Sequence, residues 1–232
     1  LSGWRTPCGW TFDTRLSVWG SIGLLVVGAV AFLLLEWSNP ATLGGDGVWH
    51  KLVTGIEGGI MPRSGGLNSF DWGQVRPETL NIGVILMFIG GGSASTAGGI
   101  KITTFLLLAY VIWAELRGDP EITVGARSVA PRVARTAITI ALLAVMLVTT
   151  TTFLVMLMTD FEFDEVLFEC TSAFATVGLS TGITPDLPVN AQCVIIVLMF
   201  LGRVGTIAAA GALVLRRRMP RYQLPEEQPI IG

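Results

Sequence analysis

Charge is what this sequence has least of. Asp, Glu, Lys and Arg together make up 14 % of its 232 residues, where a soluble domain carries about 25 %. Only two lysines are present, Lys51 and Lys101, and one histidine, His50. So few charges cannot keep a soluble surface dispersed, which excludes that class. A net charge of −2 and one short basic run, Arg216-Arg217-Arg218 with Arg221, leave no surface for nucleic acid. Cysteine is scarce too. Cys8, Cys170 and Cys193 have no paired spacing, so neither a disulfide framework nor a zinc site is expected, and all three read as small buried hydrophobes. His50 has no cysteine or carboxylate cluster at metal spacing and reads as a solvated loop residue. Nothing here supports an enzyme or a bound cofactor. The first residue is Leu1 rather than Met, and no signal peptide precedes the first apolar run. The chain is therefore expected to be a fragment, cut at its N-terminal side from a longer protein.

What is present is apolar sequence in long runs. Residues 17–35 carry no charge, 79–114 carry only Lys101, 136–159 carry none, and 189–215 carry only Arg203. About 20 apolar residues cross a bilayer as a helix, and buried helices of soluble proteins rarely reach such lengths without a polar stripe. The expected fold class is an all-α multi-pass membrane protein. The moderately apolar, glycine-containing segments between the first and second runs, and between the third and fourth, are too short for domains. They read as re-entrant elements that dip into the membrane.

Charge placement sets the orientation. Arg5 and Arg15, then Arg117, Arg127, Arg132 and Arg135, then the C-terminal arginines fall on one side, which the positive-inside rule makes cytoplasmic. The other side carries Glu36, Asp46, Glu57, Asp71, Asp160, Glu162, Asp164, Glu165, Glu169 and Asp186. Such an acidic face would concentrate cations at a pore mouth; equally, acids would simply be avoiding the cytoplasmic side. Trp37, Trp49 and Trp72 near one interface, and Trp19 and Trp113 near the other, suit an aromatic belt.

The two halves repeat without a gap at an offset of 112 positions. Glu57 matches Glu169, Gly66-Leu67 matches Gly178-Leu179, Leu86-Met87-Phe88 matches Leu198-Met199-Phe200, Gly90 matches Gly202 and Gly99 matches Gly211. One structural unit is used twice, in parallel repeats about an axis along the membrane normal. The repeat's centre carries the chemistry. In the second copy a short helix expected from Asp164 to Ala175 precedes Thr176-Val177-Gly178-Leu179-Ser180. In the first, a segment from about Val48 to Arg63 precedes Ser64-Gly65-Gly66-Leu67-Asn68. A dehydrated potassium ion needs a ring of oxygens in place of its water, and carbonyls of an extended strand opened by a glycine supply them. Thr-Val-Gly resembles the start of the potassium-channel filter. The preceding helix would aim its negative end at the ion path.

From Pro77 to Arg117 the chain has 41 residues, which as one helix would reach about 60 Å, twice the hydrocarbon thickness. Its middle, Gly90-Gly91-Gly92-Ser93-Ala94-Ser95-Thr96-Ala97-Gly98-Gly99, holds five glycines in ten residues and will not hold a helix well. Two half-helices joined by an irregular stretch are expected, a candidate gate beneath the filter. A helix-packing face of small residues is the other reading. A phosphate-binding loop is disfavoured, since Ile100 precedes Lys101 and no Gly-Lys-Ser/Thr occurs. Arg203 aligns with Gly91 and is alone in its span. It should face a water-filled cavity or a polar partner, either on the pore side below the filter or as a pin between two helices.

These stretches resemble the Trk/Ktr/HKT superfamily of potassium transporters, most closely its bacterial TrkH and KtrB membrane subunits. The resemblance rests on residues 89–101, on Phe174 to Ile183, and on Gly202-Arg203-Val204-Gly205, and it covers nearly the whole chain. It implies tandem units of outer helix, pore helix, filter and inner helix around a pore. Residues 1–118 would be the third such unit, and 119–232 the fourth with a basic cytoplasmic tail. It implies ion-binding carbonyls at Ser64 to Asn68 and Thr176 to Ser180, with Gly66 and Gly178 as the filter glycines. Gly90 to Gly99, Lys101 and Arg203 would form the gate. Potassium would be the substrate, no cofactor would be bound by this chain, and the membrane would be the cytoplasmic one with the C-terminus inside. Expected partners are a second copy of the full-length subunit and a cytoplasmic nucleotide-binding regulatory ring of the TrkA/KtrA kind. Ala94 departs from a usual glycine and would stiffen the gate; Gly58-Gly59 would weaken the third pore helix. A sodium-conducting or sodium-coupled relative is the alternative within the superfamily, and a non-transporting scaffold a distant one.

Overall fold

The structure, a computed structural model, describes residues 12–45, 47–63, 65–92, 97–118, 123–124 and 127–215. Cys8, the Arg5 and Asp46 charges, Ser64, the segment Ser93 to Thr96 and the C-terminal arginines lie outside these residues. The described chain is helical, as expected for an all-α membrane protein. In order it forms α1 (Phe12–Glu36), α2 (Val48–Ile60), α3 (Pro77–Phe88), α4 (Ile102–Arg117), α5 (Pro131–Met156), α6 (Phe163–Ala175) and α7 (Val189–Leu215). Between α4 and α5 a two-residue antiparallel pairing, Thr123–Val124 with Arg127–Ser128, turns the chain.

The helices start and stop where the sequence supplies the chemistry. Pro77 and Pro131 open α3 and α5 in the first turn, where a missing N–H costs nothing. Glu162 and Glu165 form a capping box at the head of α6. α4 closes on Gly118 in the left-handed conformation. α1 and α5 are long and apolar enough to cross a membrane, while α3 and residues 189–204 of α7 form shorter apolar helices.

The repeat seen in the sequence recurs in the backbone. A one-turn 3-10 helix at Trp72–Gln74 returns at Thr184–Asp186, and α3 begins at Pro77 as α7 does at Val189, each 112 positions on. α2 and α6 both have 13 residues, but α2 ends earlier in the repeat and continues through a 3-10 turn, Met61–Arg63.

Two cores hold these elements. One packs α5, α6 and α7 through Val148, Val166, Cys170, Phe174, Ile195 and Leu198. The other joins both halves of the chain: Phe32 of α1, Leu80 and Met87 of α3, and Trp72 close around Phe168 and Ala175 of α6 with Val177 and Leu179. The two repeats therefore interlock; the second copy's short helix packs on the first copy's α3.

Several expectations change or gain detail. His50 lies in the first turn of α2 and not in a loop, and it is exposed. Trp72 is no interface anchor: it is 1 % exposed and stacks among Phe32, Phe70 and Phe168 at centroid distances of 5.2–6.1 Å, because the 3-10 turn tucks it inward. Gly58 and Gly59, at the end of α2 where the helix gives way to the 3-10 turn, also have a packing role. They lie where α1 crosses, with Phe32 and Ala29 occupying the space a side chain would need, so they act as a small-residue packing face. Cys193 is exposed, unlike buried Cys170, because it sits on a face of α7 that meets no other described helix. Finally, Glu36 and Glu169 are buried among hydrogen-bond donors and so add nothing to an exposed acidic face, while Glu57 is half-buried. Glu36 accepts from Asn39 Nδ2 at 2.6 Å, Thr42 Oγ1 at 2.7 Å, the Arg76 N–H at 3.0 Å and the Thr79 hydroxyl. It thereby ties the end of α1 to the start of α3.

Candidate functional site

Each short helix ends in a turn that needs positive φ. After α2 the chain closes with Gly65 N–H to Met61 O at 3.0 Å and reaches Gly66 at φ +64°. After α6, Thr176 caps the helix at φ +54° and Gly178 follows at +92°. A β-branched residue in the left-handed region is an outlier that its surroundings must hold. Here the Thr176 N–H bonds Ala173 O at 3.2 Å, and the Val177 N–H bonds Ser172 O at 3.0 Å. The two glycine turns come together. A side chain on Gly66 would overlap the Val177 carbonyl, and one on Gly178 would begin 3.9 Å from the Gly66 Cα. Val177 and Leu179 are buried on one side while Gly178 between them is exposed, the alternation of an extended segment. Gly65, Leu67 and Asn68 are exposed as well, with Ser180 half-buried.

A carboxylate backs each turn. Glu57 of α2 accepts the Ser69 N–H at 2.7 Å and the Ser69 hydroxyl. Glu169 of α6 accepts the Thr181 N–H at 3.1 Å, the Ser180 hydroxyl, and Thr184 Oγ1 at 3.1 Å. Ser69 and Thr181 are themselves 112 positions apart. Sequence reading matched the two glutamates but did not assign them this role; their place in the repeat was the signal.

The glycine-rich stretch separates α3 from α4, between Phe88 and Ile102. Its two ends run side by side, paired as an isolated parallel bridge between Ile89 and Ile100. Gly90 N–H bonds Ile100 O at 2.8 Å, Ile100 N–H bonds Phe88 O at 3.0 Å, and Ile102 N–H bonds Gly91 O at 3.2 Å. The returning limb lies against the end of α6. Gly98 donates its N–H to Thr176 Oγ1 at 3.1 Å, and a side chain on Gly98 would start 2.9 Å from Ala175 and Phe174 backbone atoms. Gly99 takes φ +70°. Gly202 of α7 meets the Phe174 carbonyl from the other side, closely enough that a side chain would overlap it. Ala97 to Gly99 are buried, Gly91 and Gly92 half-buried.

Two cations flank this loop. Lys101 Nζ donates to Ala97 O at 2.7 Å. Arg203 is exposed and lies near enough to Lys101 for their like charges to interact. The loop's tip from Ser93 to Thr96, and Ser64 before Gly65, are outside the described residues. Among the described residues no group of His, Cys, Asp and Glu could hold a metal ion.

Comparison with known proteins agrees with an all-α membrane fold. The family model described as "TrkH: Cation transport protein" matches residues 51–223. The chain is similar to the Ktr system potassium uptake protein B of Bacillus subtilis (strain 168), 37 % identical over 85 % of this chain and 44 % of that protein. It is also similar to the Ktr system potassium uptake protein B of Vibrio alginolyticus, 36 % identical over 90 % of this chain and 46 % of that one. The chain thus spans about half the length of the curated relatives it matches. Its fold matches the crystal structure of the potassium transporter TrkH from Vibrio parahaemolyticus with a TM-score of 0.66, at 16 % identity, over 92 % of this chain and 45 % of that one.

Proposed function

The chain belongs to the TrkH family of cation transport proteins, and on that premise we propose that it forms half of the pore of a Trk/Ktr-type potassium uptake subunit. The observation that carries this reading is the pair of glycine turns, Gly66 and Gly178, meeting face to face behind matched helices. In this reading Ser64 to Asn68 and Thr176 to Ser180 supply half of a ring of backbone carbonyls that replaces the water of a potassium ion. Residues 1–118 and 119–232 are two units of that ring, and the rest of the full-length subunit brings the others.

The glycine-rich loop from Gly90 to Gly99 is the gate. Irregular backbone inside a membrane protein is tolerated where it is buried or lines a cavity, and this loop sits against the end of the helix that leads into the second filter segment. Lys101 and Arg203 place positive charge beside it, which would repel a cation leaving the filter. The subunit works in the cytoplasmic membrane with its arginine-rich C-terminus inside, as a homodimer with a nucleotide-binding ring as regulator. Potassium is the substrate, and the chain needs no cofactor.

Gly178→Ser in the full-length protein tests the reading, since a side chain at φ +92° must change the carbonyl geometry. Uptake of potassium and sodium is measured per folded protein, and a loss of preference for potassium is expected. An unchanged ratio removes this segment as the filter, and equal uptake of both ions by the unsubstituted protein would favour the sodium-conducting alternative.

A further inference from the structure

A carbonyl filter has no ladder or helix of its own to hold it. It discriminates between ions only while something keeps the oxygens within about 0.5 Å of the productive geometry. The two glutamates on α2 and α6 are placed to do this. Each lies nine positions before its filter glycine, and each accepts the backbone N–H of the first residue after the five-residue segment, Ser69 or Thr181. The clamp is unequal. Glu57 is half-buried and, among the described residues, holds Ser69. Glu169 is 7 % exposed and engages Ser180, Thr181 and Thr184. It also acts at one remove: the Ser180 hydroxyl that donates to Glu169 accepts the N–H of Gly182 at 2.9 Å, where the chain again takes positive φ.

We infer that Glu57 and Glu169 are positioning residues for ion selectivity, with Glu169 dominant. They act as hydrogen-bond acceptors that fix the outer end of each filter segment, and not as charges that attract cations. The inference rests on the filter reading above. A carboxyl group serves well because each of its oxygens accepts more than one bond. A glutamine has the same length. Its carbonyl oxygen replaces Glu169 Oε1 towards Ser180 and Thr181, and its amide can donate to the Thr184 hydroxyl. An alanine leaves all three residues without their acceptor.

The test uses the full-length protein and the ratio of potassium to sodium uptake, normalised to folded protein, a quantity that a merely stabilising contact leaves unchanged. Glu169→Ala is expected to lower the ratio about tenfold, equivalent to about 1.4 kcal/mol of ion discrimination. Glu57→Ala should lower it about threefold, and Glu169→Gln should stay within about twofold of the unsubstituted protein, since the acceptor is kept. Gly178→Ser is run beside them. If Gly178→Ser changes the ratio and folded Glu169→Ala does not, the clamp is wrong and the filter reading stands. If Gly178→Ser leaves the ratio unchanged, both fall. If Glu169→Gln drops as far as Glu169→Ala, the charge and not the acceptor is at work, and the inference is overturned. Should Glu169→Ala not be recovered folded, Glu57→Ala decides, and an unchanged ratio in that variant refutes the clamp.

Discussion

Gly98→Ala probes the seam between the glycine-rich loop and α6 with the smallest available wedge. The new methyl would start 2.9 Å from the Ala175 carbonyl group and from the Phe174 oxygen. These are backbone atoms at a helix end, so they cannot swing aside as a long side chain does. Carbon contacts relax near 3.5 Å, so the limb must withdraw by about 0.5 Å. That stretches the bond from Gly98 N–H to Thr176 Oγ1 from 3.1 Å past useful length. Overpacking costs about 1–3 kcal/mol and the lost bond about 0.5–1.5 kcal/mol, all charged to the state in which the loop sits on α6. If that is the closed gate, the ratio of closed to open molecules falls by about tenfold or more, since 1.4 kcal/mol is a factor of ten. The assay is potassium flux through full-length protein in vesicles, per folded molecule, with and without the proposed regulatory ring. Raised flux without the regulator, with a slightly lower unfolding temperature, is the expected result. Folded protein with unchanged flux would refute the seam as a gate, and lowered flux would mean that the loop position seen here is the conducting one.

Two further substitutions address other parts of the chain. Arg203→Gln, which keeps size and some donors beside Lys101, should raise potassium uptake at fixed amounts of folded protein; a pure helix pin predicts less folded protein and no gain per molecule. Glu36→Ala leaves the donors of Asn39, Thr42, Arg76 and Thr79 without their acceptor. It should cost on the order of 3 kcal/mol of stability, seen as a lower unfolding temperature in detergent with an unchanged ion ratio in the protein that survives; an unaltered unfolding temperature would remove Glu36 as the tie between α1 and α3.

The local grammar of this chain could be read without coordinates because it is written in residue types with one strong preference. Uncharged runs gave α1 and α5, the glycine cluster gave the break after Phe88, and the short helix ending at Ala175 ends there in the structure. What escaped depends on which side of an element faces inward. Trp72 has the composition of a belt residue, yet one 3-10 turn rotates it into the core. Gly58-Gly59 read as weakening the short helix, and their packing role was hidden, since nothing local says that α1 crosses at that point. Glu57 and Glu169 counted as outer charges, because their donors lie 11 to 15 positions further on and reach them only once the turn is made. Gly98 and Thr176 are 78 positions apart, and no pattern in either segment announces the other.

The parallel pairing at the neck of the glycine-rich loop has an evolutionary consequence. Three backbone bonds join the ends of the excursion, from Phe88 to Ile102, so α3 and α4 stay in register whatever the tip contains. Closing a loop costs entropy that grows only as the logarithm of its length; doubling the tip would add about 0.6 kcal/mol. A change of length between these paired ends therefore adds little to the cost of holding the two helices side by side. On the gate reading proposed above, opening threshold and conduction rate would be traits that selection can tune independently of the fold, through a single short segment.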